Sequence, residues 1–313
     1  MEEAPSLLTS WSFEPLQIIP TAIVAVLYVR RVRTLRRAGT PVSPWRVWSF
    51  GTGLFLVLLA LVSPIDALGE DQFLFFHMIQ HILLGDLAPL AFVAGLTGPI
   101  LRPVLGLPGV WRLRILAHPV VALPLWALSL YVWHIPFLYE GALHHSAVHA
   151  LEHFCFFSFG ALMWAAVLET LPAPEWFGTG AKLGYVAVVR VFETVLGNVF
   201  IWSGTVFYPF YEHPVNRWGI TPLGDQQIAG AVMMIEGSIV TIAALAWLFL
   251  RMAEESELRQ QLIERGLDER AVKRAVRYGR GGTVAAGRSP GATPFEGETE
   301  FPPRAPPSSA LEP

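Results

Sequence analysis

The feature that most constrains this chain is a series of apolar runs, each near the roughly 20 residues that a helix needs to cross a hydrocarbon core. Seven can be read, at about 15–32, 47–63, 73–96, 119–139, 146–169, 183–203 and 227–250. A backbone in hydrocarbon must satisfy its own hydrogen bonds, and a helix does so locally. The predicted fold is therefore all-α, a polytopic membrane bundle of about seven transmembrane helices. The second run is short, and the fourth is interrupted by Pro124 and Pro136. Membrane helices tolerate such prolines where neighbours satisfy the freed carbonyls. Composition agrees: 15% of the residues are charged, against about 25% in an average soluble domain.

The connections orient the bundle. Arg30, Arg31, Arg33, Arg36 and Arg37 follow the first run, and the next connection carries Asp66, Glu70 and Asp71. Arg102, Arg112 and Arg114 come next, then a stretch around Glu140 without Lys or Arg. Lys182 lies on the following connection, and Arg251 opens a basic-rich tail. Basic and non-basic connections alternate, so the positive-inside rule predicts an outer N-terminus and a cytoplasmic C-terminus. Four parts are expected: a short outer N-terminus at 1–15, a membrane domain at 16–251, a charged cytoplasmic helix at 252–278, and a disordered tail at 279–313 rich in Gly, Pro and Ser.

Five of the nine histidines fall inside predicted runs, near one end. At 1.5 Å of rise per residue, His77 lies about 7 Å below the outer surface and His81 about 6 Å deeper. His134, on a helix running outward, lies about 7 Å from its outer end, and His149 and His153 enter at about 4 and 10 Å. Three helices running in alternating directions thus place imidazoles in one slab. His77 and His81 are four residues apart, as are His149 and His153, so each pair shares a helix face. Ionisable groups at such depth are costly and mark function by default. Imidazole suits zinc, copper, iron and nickel. Glu152 lies between the second pair, and Glu193, Asn198, Met233, Met234 and Glu236 fall in the same slab. Thioether beside imidazole would favour copper, particularly Cu(I). The candidate metal residues are His77, His81, His134, His149, His153, Glu152 and Met233.

Other readings of the same residues stand beside this one. An interfacial histidine is often only hydrogen-bonded or solvated, and Met233 and Met234 serve equally as packing residues. His144, His145 and His213 fall in outer connections, and His118 on the opposite side. Cys155, the only cysteine, excludes a disulfide framework and a CxxC relay, and reads as a structural thiol. His149–Ala150–Leu151–Glu152–His153 matches H-x-x-E-H, in which two histidines bind zinc and the glutamate activates water. Histidines from two helices could also ligate a b-type haem.

Four segments carry a family resemblance: FHMIQHILLGDLAPL at 76–90, WHIPFLYEGAL at 133–143, VHALEHFCFFSFGALMW at 148–164 and DQQIAGAVMM at 225–234. Together and in this order they resemble the CtaG family, the seven-helix assembly factors of caa-type bacterial cytochrome c oxidases. The resemblance covers roughly 16–250. It implies a multi-pass protein of the bacterial cell membrane that serves the oxidase's copper centres. Its partners would be oxidase subunits or other assembly factors, within the lipid bilayer and without nucleic acid. The residues carried over are His77, His81, His134, His149, Glu152, His153, Asp225 and Met233. The expected chemistry is copper binding and transfer rather than catalysis, with a haem protein and a zinc hydrolase as the alternatives.

Overall fold

A computed structural model describes residues 10–13, 15–212 and 218–277. The expected disordered tail, His213 and most of the expected outer N-terminus lie outside the described residues. Every regular element among the described residues is helical, as apolar patterning demands of a polytopic membrane protein. The elements are α1 (Pro15–Arg37), α2 (Pro44–Val62), α3 (Pro64–Asp71), α4 (Leu74–Ile82), α5 (Ala88–Ala94), α6 (Gly98–Leu105), α7 (Pro119–Trp133), α8 (Pro136–His144), α9 (Ser146–Leu168), α10 (Thr179–Trp202), α11 (Pro222–Glu264) and α12 (Glu269–Arg277). Proline opens six of them, where its missing N–H costs nothing and its fixed φ suits the first turn.

Five helices are long and apolar enough to cross a bilayer, and a sixth span results if the bent pair α7–α8 is counted as one. The first predicted run is also a continuous helix, α1, but it is not among those six. It ends in the arginine cluster, with Arg36 and Arg37 in its last turn. The pair α7–α8 bends by 74°. Pro136 is the cause: the residue before a proline is pushed out of the α region, and Ile135 sits at φ −67°, ψ 127°. His134 is left at the C-terminal cap of α7.

α4 and α5 form one apolar span, Leu74–Ala94, joined by a π-helical turn at Leu83–Leu87. The Ala88 N–H reaches back five residues to the Leu83 carbonyl. Such wide turns recur at functional sites. α5 packs on α2 and α9, α3 on α4, and α7 and α8 on α9. Small residues permit the closest approaches, as in other membrane bundles. A Cβ on Gly160 of α9 would stand 2.0 Å from the carbonyl oxygen of Gly85 in the π turn. A Cβ on Gly69 of α3 would stand 2.8 Å from the backbone nitrogen of His77.

The chain divides into two compact units, Met1–Ala246 and Trp247–Pro313. In the second, Leu262, Val272 and Val276 form a small core with Leu258. The helix expected at 252–278 is thus two pieces, the end of α11 and α12, separated at Gly266, which has φ +82°. Lys182, read from sequence as a connecting-loop cation, is fully buried in an ion pair with Glu169, 3.1 Å away.

Candidate metal centre

Helix α4 projects His77 and His81 from one face, and α9 projects His149 and His153 from one face. The two faces meet. One nitrogen from each of the four imidazoles lies within 4.8 Å of the other three. His77 is fully buried, and His81 and His149 nearly so. The rings contact one another at centroid distances of 4.1 Å for His149–His153, 4.3 Å for His77–His81 and 5.3 Å for His77–His149.

Hydrogen bonds on the far edges of the rings set their tautomers. The His149 Nδ1–H donates to Glu70 Oε1 at 2.7 Å, which leaves Nε2 with a lone pair. That Nε2 is buried and has no hydrogen-bond partner. A carboxylate behind an imidazole in this manner fixes the ring and raises its basicity toward a metal. Tyr211 plays the corresponding part for His77. Its hydroxyl donates to the Gly69 carbonyl at 2.7 Å, so its oxygen accepts from His77 Nδ1–H at 3.3 Å. Burial pushes the Tyr211 hydroxyl well above its ordinary pKa and keeps it a donor. His77 Nε2 then faces His81 Nε2 across 2.8 Å. His153 Nε2 is buried without a partner as well.

Glu152 is fully buried on α9, with one oxygen 3.7 Å from His81 Nε2 and no hydrogen bond to either. A bare carboxylate in this setting is costly unless a cation offsets it. The donor set therefore fits a metal ion: four imidazoles converge, two of them braced from behind, and a buried carboxyl group stands beside them.

The remaining sequence candidates fall elsewhere. His134 stands 6.1 Å from His81, ring to ring, and outside the group of four. Met233 packs against the Leu74–Met78–Tyr139 cluster and lines a separate cavity with His81 and His134. Asp225 does not reach the imidazoles; it accepts from the N–H groups of Leu74 at 2.7 Å and Phe75 at 3.0 Å, capping α4 from α11. His144 packs on Phe210. Glu70 and Tyr211 were missed by sequence reasoning. In the sequence Glu70 is only a charge on an outer connection, and nothing there pairs Tyr211 with a residue 134 positions away.

The second histidine pair borders a groove of about 690 Å³ between α1, α2, α3 and α9. Its walls are largely apolar, and Asp66, Glu70 and Asp71 supply acidic groups. Glu70 is 43% exposed there, so it joins the groove to the imidazole of His149.

Fold and site together define a polytopic helical membrane protein with a buried four-histidine cluster between two of its spans. The family described as cytochrome c oxidase caa3 assembly factor (Caa3_CtaG) matches residues 26–255, and the chain belongs to it. Two curated relatives are uncharacterised proteins, Mb0105 of Mycobacterium bovis and MT0111 of Mycobacterium tuberculosis. Each is 25% identical over 244 residues, which is 72% of this chain. The match covers 36% of each relative's length, so the chain spans roughly a third of those proteins. No solved structure matches this chain significantly.

Proposed function

We propose that this chain helps assemble a haem–copper cytochrome c oxidase by holding copper at the cluster His77, His81, His149 and His153 and passing it on. The convergence of four imidazole nitrogens within 4.8 Å carries this reading. Family membership supplies the oxidase, and the donor set supplies the metal class. Imidazole suits copper and zinc alike. Glu152 favours a monovalent ion, because Cu(I) and one carboxylate leave no net charge in a low-dielectric site. The ring contacts near 4 to 5 Å favour a small ion over haem, which would need a flat slot between ligands. Of the other expected ligands, Glu152 acts here as counter-charge, and His134 and Met233 lie outside the cluster. The role is binding and transfer, with the groove beside His149 and its acidic residues as the route for the ion.

Purified full-length protein should bind one Cu(I) per chain in competition with a chelator. Glu70→Ala should weaken that affinity about 10- to 100-fold, the usual effect of losing a group that orients a metal-binding imidazole. Glu70→Gln keeps an acceptor for His149 Nδ1–H and should retain most of it. Absence of saturable Cu(I) binding by the wild type would defeat the copper reading.

The same proposal places the cluster near the outer face of a bacterial cell membrane. The arginine cluster at Arg30–Arg37 motivates this orientation. A reporter that fluoresces only in the cytoplasm, fused after Arg280, should therefore be bright. A stable but dark fusion would turn the histidines toward the cytoplasm.

A further inference from the structure

The groove between α1, α2, α3 and α9 is far larger than an ion needs, at about 690 Å³. Phe154 and Val24 on its walls are 67% and 37% exposed, so it is open to the side. We infer that this groove seats one transmembrane helix of a partner protein. That helix has a Lys or Arg at the groove's acidic end and carries the side chains that receive the ion. What the helix receives rests on the proposed function; the seat itself does not.

The walls are helix faces. Ser146, His149, Ala150, His153, Phe154 and Phe157 line the groove from α9, at the three- and four-residue spacing of a single face. Gln17, Thr21 and Val24 do the same on α1, and Leu54, Val57 and Leu61 on α2. Faces of this kind around one trough receive a further helix, whose side chains enter between theirs. Ser146 to Phe157 runs about 16 Å along α9, or three turns of contact. Ser146, Ala67 and Ala150 are small and let another backbone come close. The Ser12 N–H donates to the Val62 carbonyl at 3.0 Å, and the Tyr28 hydroxyl to the Gly95 carbonyl at 3.0 Å. These bonds fix α1 on the side of the trough away from α9.

Charge selects the occupant. Asp66, Glu70 and Asp71 line the groove, and no Lys or Arg is among the described residues that do so. A phospholipid would bring its phosphate toward these acids, where like charges repel. A helix with a lysine or arginine at that level brings the opposite charge, and its apolar residues meet Leu54, Val57 and Phe157. Access points the same way. His77 is fully buried, and the cavity beside His81, about 60 Å³, has room only for a few waters. His149 and His153, by contrast, border the groove. Hand-over proceeds by ligand exchange: a bond from Cu(I) to one of these imidazoles breaks as a bond to an imidazole of the incoming helix forms. No electron moves, and the ion keeps its charge.

The test places the purified full chain, free of metal, in phosphatidylcholine vesicles with a synthetic transmembrane peptide. The peptide is an apolar helix with a lysine at one end and two histidines, four residues apart, in the turns next to it. Energy transfer between dyes on chain and peptide should show saturable docking. A peptide with glutamate in place of the lysine should dock at least about 10-fold more weakly. Thr21→Trp fills the trough from α1 and should weaken docking at least about 10-fold, with Cu(I) stoichiometry unchanged. Val57→Phe fills it from α2 and decides if Thr21→Trp does not accumulate. A chain loaded with Cu(I) under anaerobic conditions should pass copper to the docked peptide. Absence of saturable docking, as when phospholipid or a second copy of the chain fills the groove, would overturn the inference. So would docking undiminished by the glutamate peptide or by the filling variants, or docking without copper transfer from a loaded chain. A chain that docks the peptide but binds no Cu(I) would count against the proposed function alone and leave the helix seat standing.

Discussion

On the proposed function, replacing His77 and His81 together by alanine should yield a protein that accumulates in the membrane but does not retain copper. The change removes both imidazoles that α4 contributes. In the proposed site each would supply a direct bond, and even an orienting group is worth about 10- to 100-fold in affinity, so the pair should cost well over about 100-fold. The fold should survive. Tyr211 loses one contact but keeps Gly69 and Tyr139, and a lost hydrogen bond of this kind costs about 1 kcal/mol. In cells the oxidase should be present but poor in copper and nearly inactive, with partial recovery in excess copper by mass action. The alternatives diverge here. A haem protein would lose a Soret band of its own, and a zinc hydrolase would accumulate uncleaved substrate while the oxidase kept its copper. Full oxidase activity and copper content in the double variant would remove the proposed function.

The second large effect falls on the scaffold. Gly160→Ala adds one methyl group where α9 passes the π turn, 2.0 Å from the Gly85 carbonyl oxygen. The obstructing atom belongs to backbone on a packed span, so relief requires the two helices to separate. Overpacking of this kind costs about 1–3 kcal/mol and occasionally more, and here both histidine-bearing helices move with it. Accumulation and the thermal midpoint in detergent should fall clearly, and Cu(I) affinity with them. Gly141→Ala on α8 is the control, because a Cβ there meets nothing within 4 Å. It should stay within about 0.5 kcal/mol of the wild type or gain slightly. Equal behaviour of the two variants would show that the close contact at Gly160 is not what holds α9 to the π turn.

The histidine pairs were legible in the sequence because helical periodicity alone puts positions four apart on one face. The depth argument rests on a constant rise per residue. That arithmetic also drew in His134 and Met233, since it measures depth and carries no angular information between helices. The bend at Pro136 and the π turn decide those angles, and both depend on tertiary packing. Glu70 was visible only as a charge, because its partner lies on α9, across a fold that sequence spacing cannot close. Asp225 was carried over from the family resemblance, and in the structure it caps α4. Lys182 shows the limit of reading topology from loop charges: a cation locked in a buried ion pair says little about which side of a membrane it prefers.

The π turn at Leu83–Leu87 sets the angle between the two halves of one span. Asp86 follows His81 by five residues, and at about 100° per residue a regular helix would carry it to the far side. The wider turn returns it toward the face that bears the imidazoles. Chain length within this segment is therefore as informative as residue identity. Deleting a single residue there would leave His77 and His81 in their places relative to each other, yet rotate them against everything that follows. A lineage could change every apolar side chain in the segment and keep the histidine pair in place, but it could not shorten the segment by one without turning that pair against the rest of its span.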